Sequence, residues 1–131
     1  SSPSAALKVS DISSDLTETQ IFAALPNPVF VLDLENRFIY LNQAAEIFFQ
    51  SSRMILLGTS LTSIIPSDSN FLSMVRRAWA QSISIGDQGV ELAGPKIGIK
   101  LINVQITPFG EREPHLLICI QERALAERLR G

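Results

Sequence analysis

The chain is short of the residues on which most catalytic chemistry depends. Its 131 residues include one cysteine and one histidine. A single cysteine cannot close an internal disulfide, so any fold must rest on its own core. Metal sites draw several His, Cys or carboxylate ligands together, and His115 with Cys119 supplies only two. At i,i+4 on a strand their Cβ atoms stand roughly 13 Å apart, too far for a thiol–imidazole proton transfer. The reading is therefore an inward histidine, a small buried thiol, no metal and no catalytic residue. The seven glycines are scattered, and none forms a phosphate-cradling loop between a strand and a helix. Basic excess is missing too. Eleven Lys and Arg against thirteen Asp and Glu leave a net charge of −2, which argues against a nucleic-acid partner. No apolar run approaches the roughly 20 residues of a membrane helix, and no cationic leader precedes an apolar stretch. The expectation is a soluble, cytoplasmic domain without a membrane segment.

What is present is enough apolar material for one core. Hydrophobic residues make up 46% and charged ones 18%, a globular composition rather than a disordered one. Residues 1–15 are rich in serine and read as a flexible arm. Thr17 and Gln20 form a T-x-x-Q capping box, with Leu16 and Ile21 as a hydrophobic staple, and Pro26 stops the short helix that follows. Ile21, Phe22 and Leu25 are assigned to one face of it. Pro28–Asp33 and Arg37–Asn42 flank the turn Leu34-Glu35-Asn36 and read as a hairpin.

A helix over Gln43–Gln50 follows, then short helical turns ended by Gly58 and by Pro66. A long helix over 70–82 carries Phe71, Val75, Ala78 and Trp79 along one side. After Gly86 the apolar period becomes two. Ile97, Ile99 and Leu101 give way to Ile102, Val104 and Ile106, which predicts a bulge near Leu101-Ile102. His115–Ile120 is the last strand, and Gln121–Arg130 reads as a charged helix. The first and last strands are apolar on both faces, so they belong side by side at the centre of a sheet covered on both sides.

Tyr40-x-Asn42-x-Ala44, a glycine sixteen residues after the asparagine (Gly58), and Ile65-Pro66 resemble the signature of PAS sensory domains over about residues 17–123. Physically, Asn42 can cap the helix beside it, Ala44 lets that helix approach the sheet, and Gly58 permits a positive φ. Two family features differ: Gln50-Ser51 stand where many PAS domains have Gly-Tyr, and Cys119-Ile120-Gln121 where many have Asp-Ile-Thr. Ile21–Pro28 running into Val29–Asp33, with Asn42-Gln43-Ala44-Ala45-Glu46 and Ser51-Ser52-Arg53, is similar to the N-terminal sensory domain of nitrogen-regulation histidine kinases of the NtrB type.

The resemblance implies an α+β PAS fold with a five-stranded antiparallel sheet in the order 2-1-5-4-3. Short helices and one long helix would cover one face and the N-terminal helix the other. It implies a domain over 16–121 and the start of a connecting signalling helix at 122–131. It also implies a regulatory module without its own cofactor in a two-component histidine kinase. That module would act through homodimerisation, with a response regulator and a nitrogen-signal protein of the PII type as partners. The interface candidates are Leu16, Ile21, Phe22, Leu25, Ile118 and Ile120. The alternative is a small-molecule sensor, with a cavity walled by Phe30, Leu32, Tyr40, Phe48, Phe49, Val75, Trp79 and Leu117, and with Tyr40, His115 and Asn103 as polar anchors.

Overall fold

A computed structural model of the protein describes residues 18–123. Leu16 and Thr17, and with them the staple and the capping box, lie outside the described residues, as does the helix expected beyond Arg123. Helix α1 spans Glu18–Ala24. Strands β1 (Val29–Leu32) and β2 (Phe38–Leu41) follow. Next come α2 (Gln43–Phe49), α3 (Arg53–Leu56), a 3-10 turn at Leu61–Ser63 and the long helix α4 (Asn70–Gln81). Strands β3 (Ile85–Gly94), β4 (Gly98–Phe109) and β5 (His115–Glu122) complete the order. All five strands form one antiparallel sheet, β2-β1-β5-β4-β3. The two greasiest strands are neighbours at its centre, with Phe30 opposite Ile118.

One face carries the core. Phe30, Leu32, Phe38, Leu41, Ile102, Val104, Ile106, Leu116, Ile118 and Ile120 meet Ala45, Phe48 and Phe49 of α2 and Phe71, Leu72, Met74, Val75 and Ala78 of α4. Helix α4 begins where the Ser69 hydroxyl accepts from the N–H of Leu72, at 3.1 Å. Its apolar residues fall on one stripe because they recur at helical spacing.

Several local readings are corrected. The bulge lies in β3, not β4: Asp87 pairs with Val104 and Val90 with Ile102, so Gln88 and Gly89 loop out, with Gly89 at φ +70°. Strand β4 keeps one phase, because Ile97 precedes it in the turn and Ile99 is exposed. Gln121 and Glu122 belong to β5 rather than to a helix, held by pairing with Asn103 and Ile102. The fully buried alanine of α2 is Ala45, while Ala44 is half-buried. Gly58 does hold a positive φ, +83°. There its N–H donates to the Phe38 carbonyl at 2.8 Å, fastening the chain between Leu57 and Ser60 beside β2. Pro66 is exposed just after buried Ile65.

The β1–β2 turn is tied together by side chains. Asp33 Oδ1 accepts from the N–H groups of Glu35 and Arg37, both at 2.9 Å, and Asp33 Oδ2 meets Arg37 Nε at 3.2 Å. Asn36 takes the left-handed conformation at φ +62°. Its Oδ1 receives the Trp79 indole N–H at 2.8 Å, linking the turn to α4. Partial burial pushes Asp33 up, but the two N–H groups and the Arg37 guanidinium outweigh it and leave the carboxyl below its ordinary range. A lowered folded pKa contributes stability above the unfolded value and loses it as pH falls through the folded one. Asp33→Asn is therefore expected to melt below wild type at neutral pH and to converge with it as pH falls through the lowered folded pKa of Asp33, as thermal scans across pH would record.

Candidate functional site

Two surfaces could carry function, the interior between helices and sheet and the outer face of the sheet. The interior is filled by aromatic rings. Phe49 lies 5.3 Å from both Phe30 and Phe38, centroid to centroid, and 5.1 Å from Phe48, in edge-on contacts. Phe30 and Phe38 are 5.2 Å apart. Of the expected pocket walls, Phe30, Leu32, Phe48, Phe49 and Val75 are buried here, and Trp79 is half-buried against them. Phe49 also borders a small cavity of about 230 Å³ with Leu56, Ile64 and Ile97.

Polar anchors in the interior come down to one residue. Asn42 is the buried polar side chain among the described residues, and all of its hydrogen-bonding groups serve the chain. Its Oδ1 accepts from the N–H of Ala45 at 2.9 Å, which caps α2, and from the N–H of Val29 at 3.1 Å. Its Nδ2 donates to the carbonyls of Asn27 at 3.0 Å and Leu25 at 3.4 Å. Asn42 thus ties three segments together and offers nothing to a ligand.

The remaining expected anchors and walls are on the other side. Pairing of Val31 with Leu117 and Tyr40, and of Gln105 with Cys119, puts Tyr40, Leu117, Cys119, Asn103 and His115 on the outer face. The phase of β5 is thereby the reverse of the one expected. Leu117 is not a wall of the interior, and Ile118 and Ile120 are core residues, 0% and 1% exposed, that cannot meet a second subunit. His115 is not inward. It is half-buried on the outer face beside Phe109, ring centroids 5.4 Å apart. Burial pushes the Cys119 thiol above its ordinary pKa, which keeps it protonated and a poor nucleophile at neutral pH.

On that outer face α1 sits beside β2, with the Phe22 ring edge-on to Tyr40 at 4.5 Å. Phe22 is turned inward, whereas Ile21 and Leu25 remain 53% and 40% exposed, so the three do not share one face. Next to α1 the sheet forms an open trough of about 740 Å³ lined by Asn27, Asn103, Gln105, Cys119 and Gln121 with the β3 bulge at its edge. Along β4 and β5 the outward positions from Asn103 to Phe109 and from His115 to Gln121 contain no Asp, Glu, Lys or Arg. Gln105 and Gln121 are the residues that sequence reasoning missed, and Asn103, expected as an inward anchor, faces outward with them. Alternation with Ile102, Val104 and Ile106 was the signal that would have put Asn103 and Gln105 outward. Among the described residues there is no cluster of three potential metal ligands, and no helix is long and apolar enough to cross a membrane.

A five-stranded antiparallel sheet in this order, helices stacked on one face and a capping asparagine after the second strand define an α+β domain of one fold class. The PAS fold family model matches residues 19–123, and the chain belongs to that family. The sensory histidine kinase/phosphatase NtrB of Azospirillum brasilense is 30% identical over 106 residues, 81% of this chain and 26% of that protein. NtrB of Rhizobium meliloti is 28% identical over 111 residues, 83% of this chain and 29% of that protein. The chain therefore spans under a third of the curated relatives it matches. Among solved structures, the PAS domain of nitrogen regulation protein NR(II) from Vibrio parahaemolyticus superposes with a TM-score of 0.70 at 23% identity, covering 80% of this chain and 96% of that one.

Proposed function

We propose that this PAS domain is the regulatory module of a cytoplasmic two-component sensor histidine kinase of nitrogen regulation. It acts as a homodimer through α1 and the outer sheet face, and passes its state to the segment after β5. A response regulator and a PII-type nitrogen-signal protein are the partners this reading gives the whole protein.

The observation that carries the dimer is the charge-free stretch of β4 and β5 on the outer face, bordered by Asp87 of β3, beside exposed Ile21 and Leu25. In a two-fold contact each residue meets surroundings made by its own copy, so a fixed charge near the axis meets its like. Amides avoid this, because each carries both donor and acceptor and can pair with itself. Asn103, Gln105 and Gln121 satisfy that condition, and buried apolar side chains of α1 add about 2 kcal/mol each before ordering costs. Phe22 contributes indirectly by seating the helix on Tyr40.

Leu25→Asp is expected to weaken self-association at least about tenfold in sedimentation, with the melting curve of the monomer little changed. In the whole protein it should alter kinase output. Unchanged association in the variant, or a wild-type domain that stays monomeric at high concentration, would overturn the reading.

A further inference from the structure

At the end of β5 the chain leaves the sheet beside one basic residue of β4. Lys100 pairs across the sheet with Leu92 and so points to the core side. Its Nζ lies 3.1 Å from Glu122 Oε2, the last residue of β5, and 5.8 Å from the centre of the Phe48 ring. Its side chain is only 22% exposed, against 49% for Glu122. Beyond it the Arg123 N–H donates to the Leu101 carbonyl at 2.8 Å, extending the β4–β5 pairing past the strand. Phe48 in turn packs edge-on to Phe49, the hub of the aromatic core.

We propose that Lys100 is the positioning residue of the signal exit: it is held over Phe48 and holds Glu122, so the packing of the aromatic core sets whether the chain beyond residue 122 leaves the sheet paired or released. This rests on the reading that the signal departs after β5. The physical case is that one cation bridges two elements that no backbone pairing joins, α2 and the end of β5. A ring that shifts by an ångström or two costs the ammonium its favourable site over the π face. A partly exposed ion pair is a weak bond. Weakness suits the task, because a small bias then moves the population between two states close in energy.

The test uses Lys100→Met and Glu122→Gln, each with a protein-level and a local readout, and Lys100→Arg as the conservative control. Glu122 is half exposed, so its variant folds even where Lys100→Met does not. In the domain, amide exchange at Arg123 is expected to rise about tenfold in both variants and to stay near wild type in Lys100→Arg. In the full-length protein, kinase output is expected to shift by about threefold or more in one common direction for both, and not for Lys100→Arg. Unchanged exchange at Arg123 overturns the clasp while leaving the exit route standing. Raised exchange with unchanged output overturns the exit route itself. Loss of the wild-type behaviour in Lys100→Arg overturns the role of the shared cation.

Discussion

Phe49→Ala is expected to lower the stability of the domain by about 3–5 kcal/mol, the range for deleting a large buried ring whose cavity cannot collapse. Phe49 touches three other phenylalanines, and they are themselves pinned on β1, β2 and α2, so the gap has little means of closing. The midpoint of chemical denaturation checks the magnitude. The same variant bears on ligand binding. The space left would be walled mainly by Phe30, Phe38 and Phe48, next to the small cavity that Leu56, Ile64 and Ile97 share with Ser51, Ser63 and Lys96. A dry apolar cavity of this kind takes up small apolar molecules. Benzene is therefore expected to raise the melting temperature of Phe49→Ala and to leave the wild type where it was, because in the wild type the Phe49 side chain fills the space. Equal stabilisation of both proteins would mean that the native interior already holds a usable cavity.

Asn42→Ala is expected to cost about 2–4 kcal/mol by a different route. No large volume is lost. Instead the buried N–H of Val29 loses its acceptor, the N–H of Ala45 keeps only the backbone carbonyl of residue 42 at 3.1 Å, and the part-buried carbonyl of Asn27 loses its donor. Asn42→Asp separates the two halves of the role. It keeps the acceptor for the N–H groups and so keeps the helix cap. It also turns a carboxylate oxygen toward the carbonyls of Asn27 and Leu25 where an amide N–H stood. Aspartate is a good helix cap in the open, so a site that only capped α2 would tolerate it. The expected result is a variant as unstable as Asn42→Ala near neutral pH, with part of the loss recovered in acid as the carboxyl protonates and regains a donor. Thermal melts of both variants between about pH 3 and pH 7 decide the matter. A fully stable Asn42→Asp would show that the links to Leu25 and Asn27 carry no energy.

Both residues also show how much of the domain could be read in advance. Asn42 stood out through its spacing from Ala44 and Gly58, and capping was the expected role. Its second pair of bonds, to the α1–β1 connection, joins residues 15 and 17 positions apart, and no local pattern encodes such a link. In the sequence Phe49 reads as a wall of the candidate cavity. That it is the hub of an aromatic cluster as well as a border of the small cavity depends on ring positions from three elements meeting within 5.3 Å. The outer-face amides were legible in part, through alternation along β4. The Lys100–Glu122 clasp was not, because the two residues are 22 positions apart and the cross-strand register that joins them is set by the whole β4–β5 ladder.

The sequence by itself determined the element order and the central pairing of the first and last strands, and the family resemblance supplied the rest of the sheet order. Period-two and period-3.6 patterns locate strands and helices, and two strands apolar on both sides must share the middle of a covered sheet. The tertiary structure alone decided which side of β5 faces the core. A strand apolar at every position has no alternation, and so its phase is free until pairing fixes it. Pairing with Phe30 and Ile106 turned Ile118 inward and left Leu117 and Cys119 half-buried on the outer face.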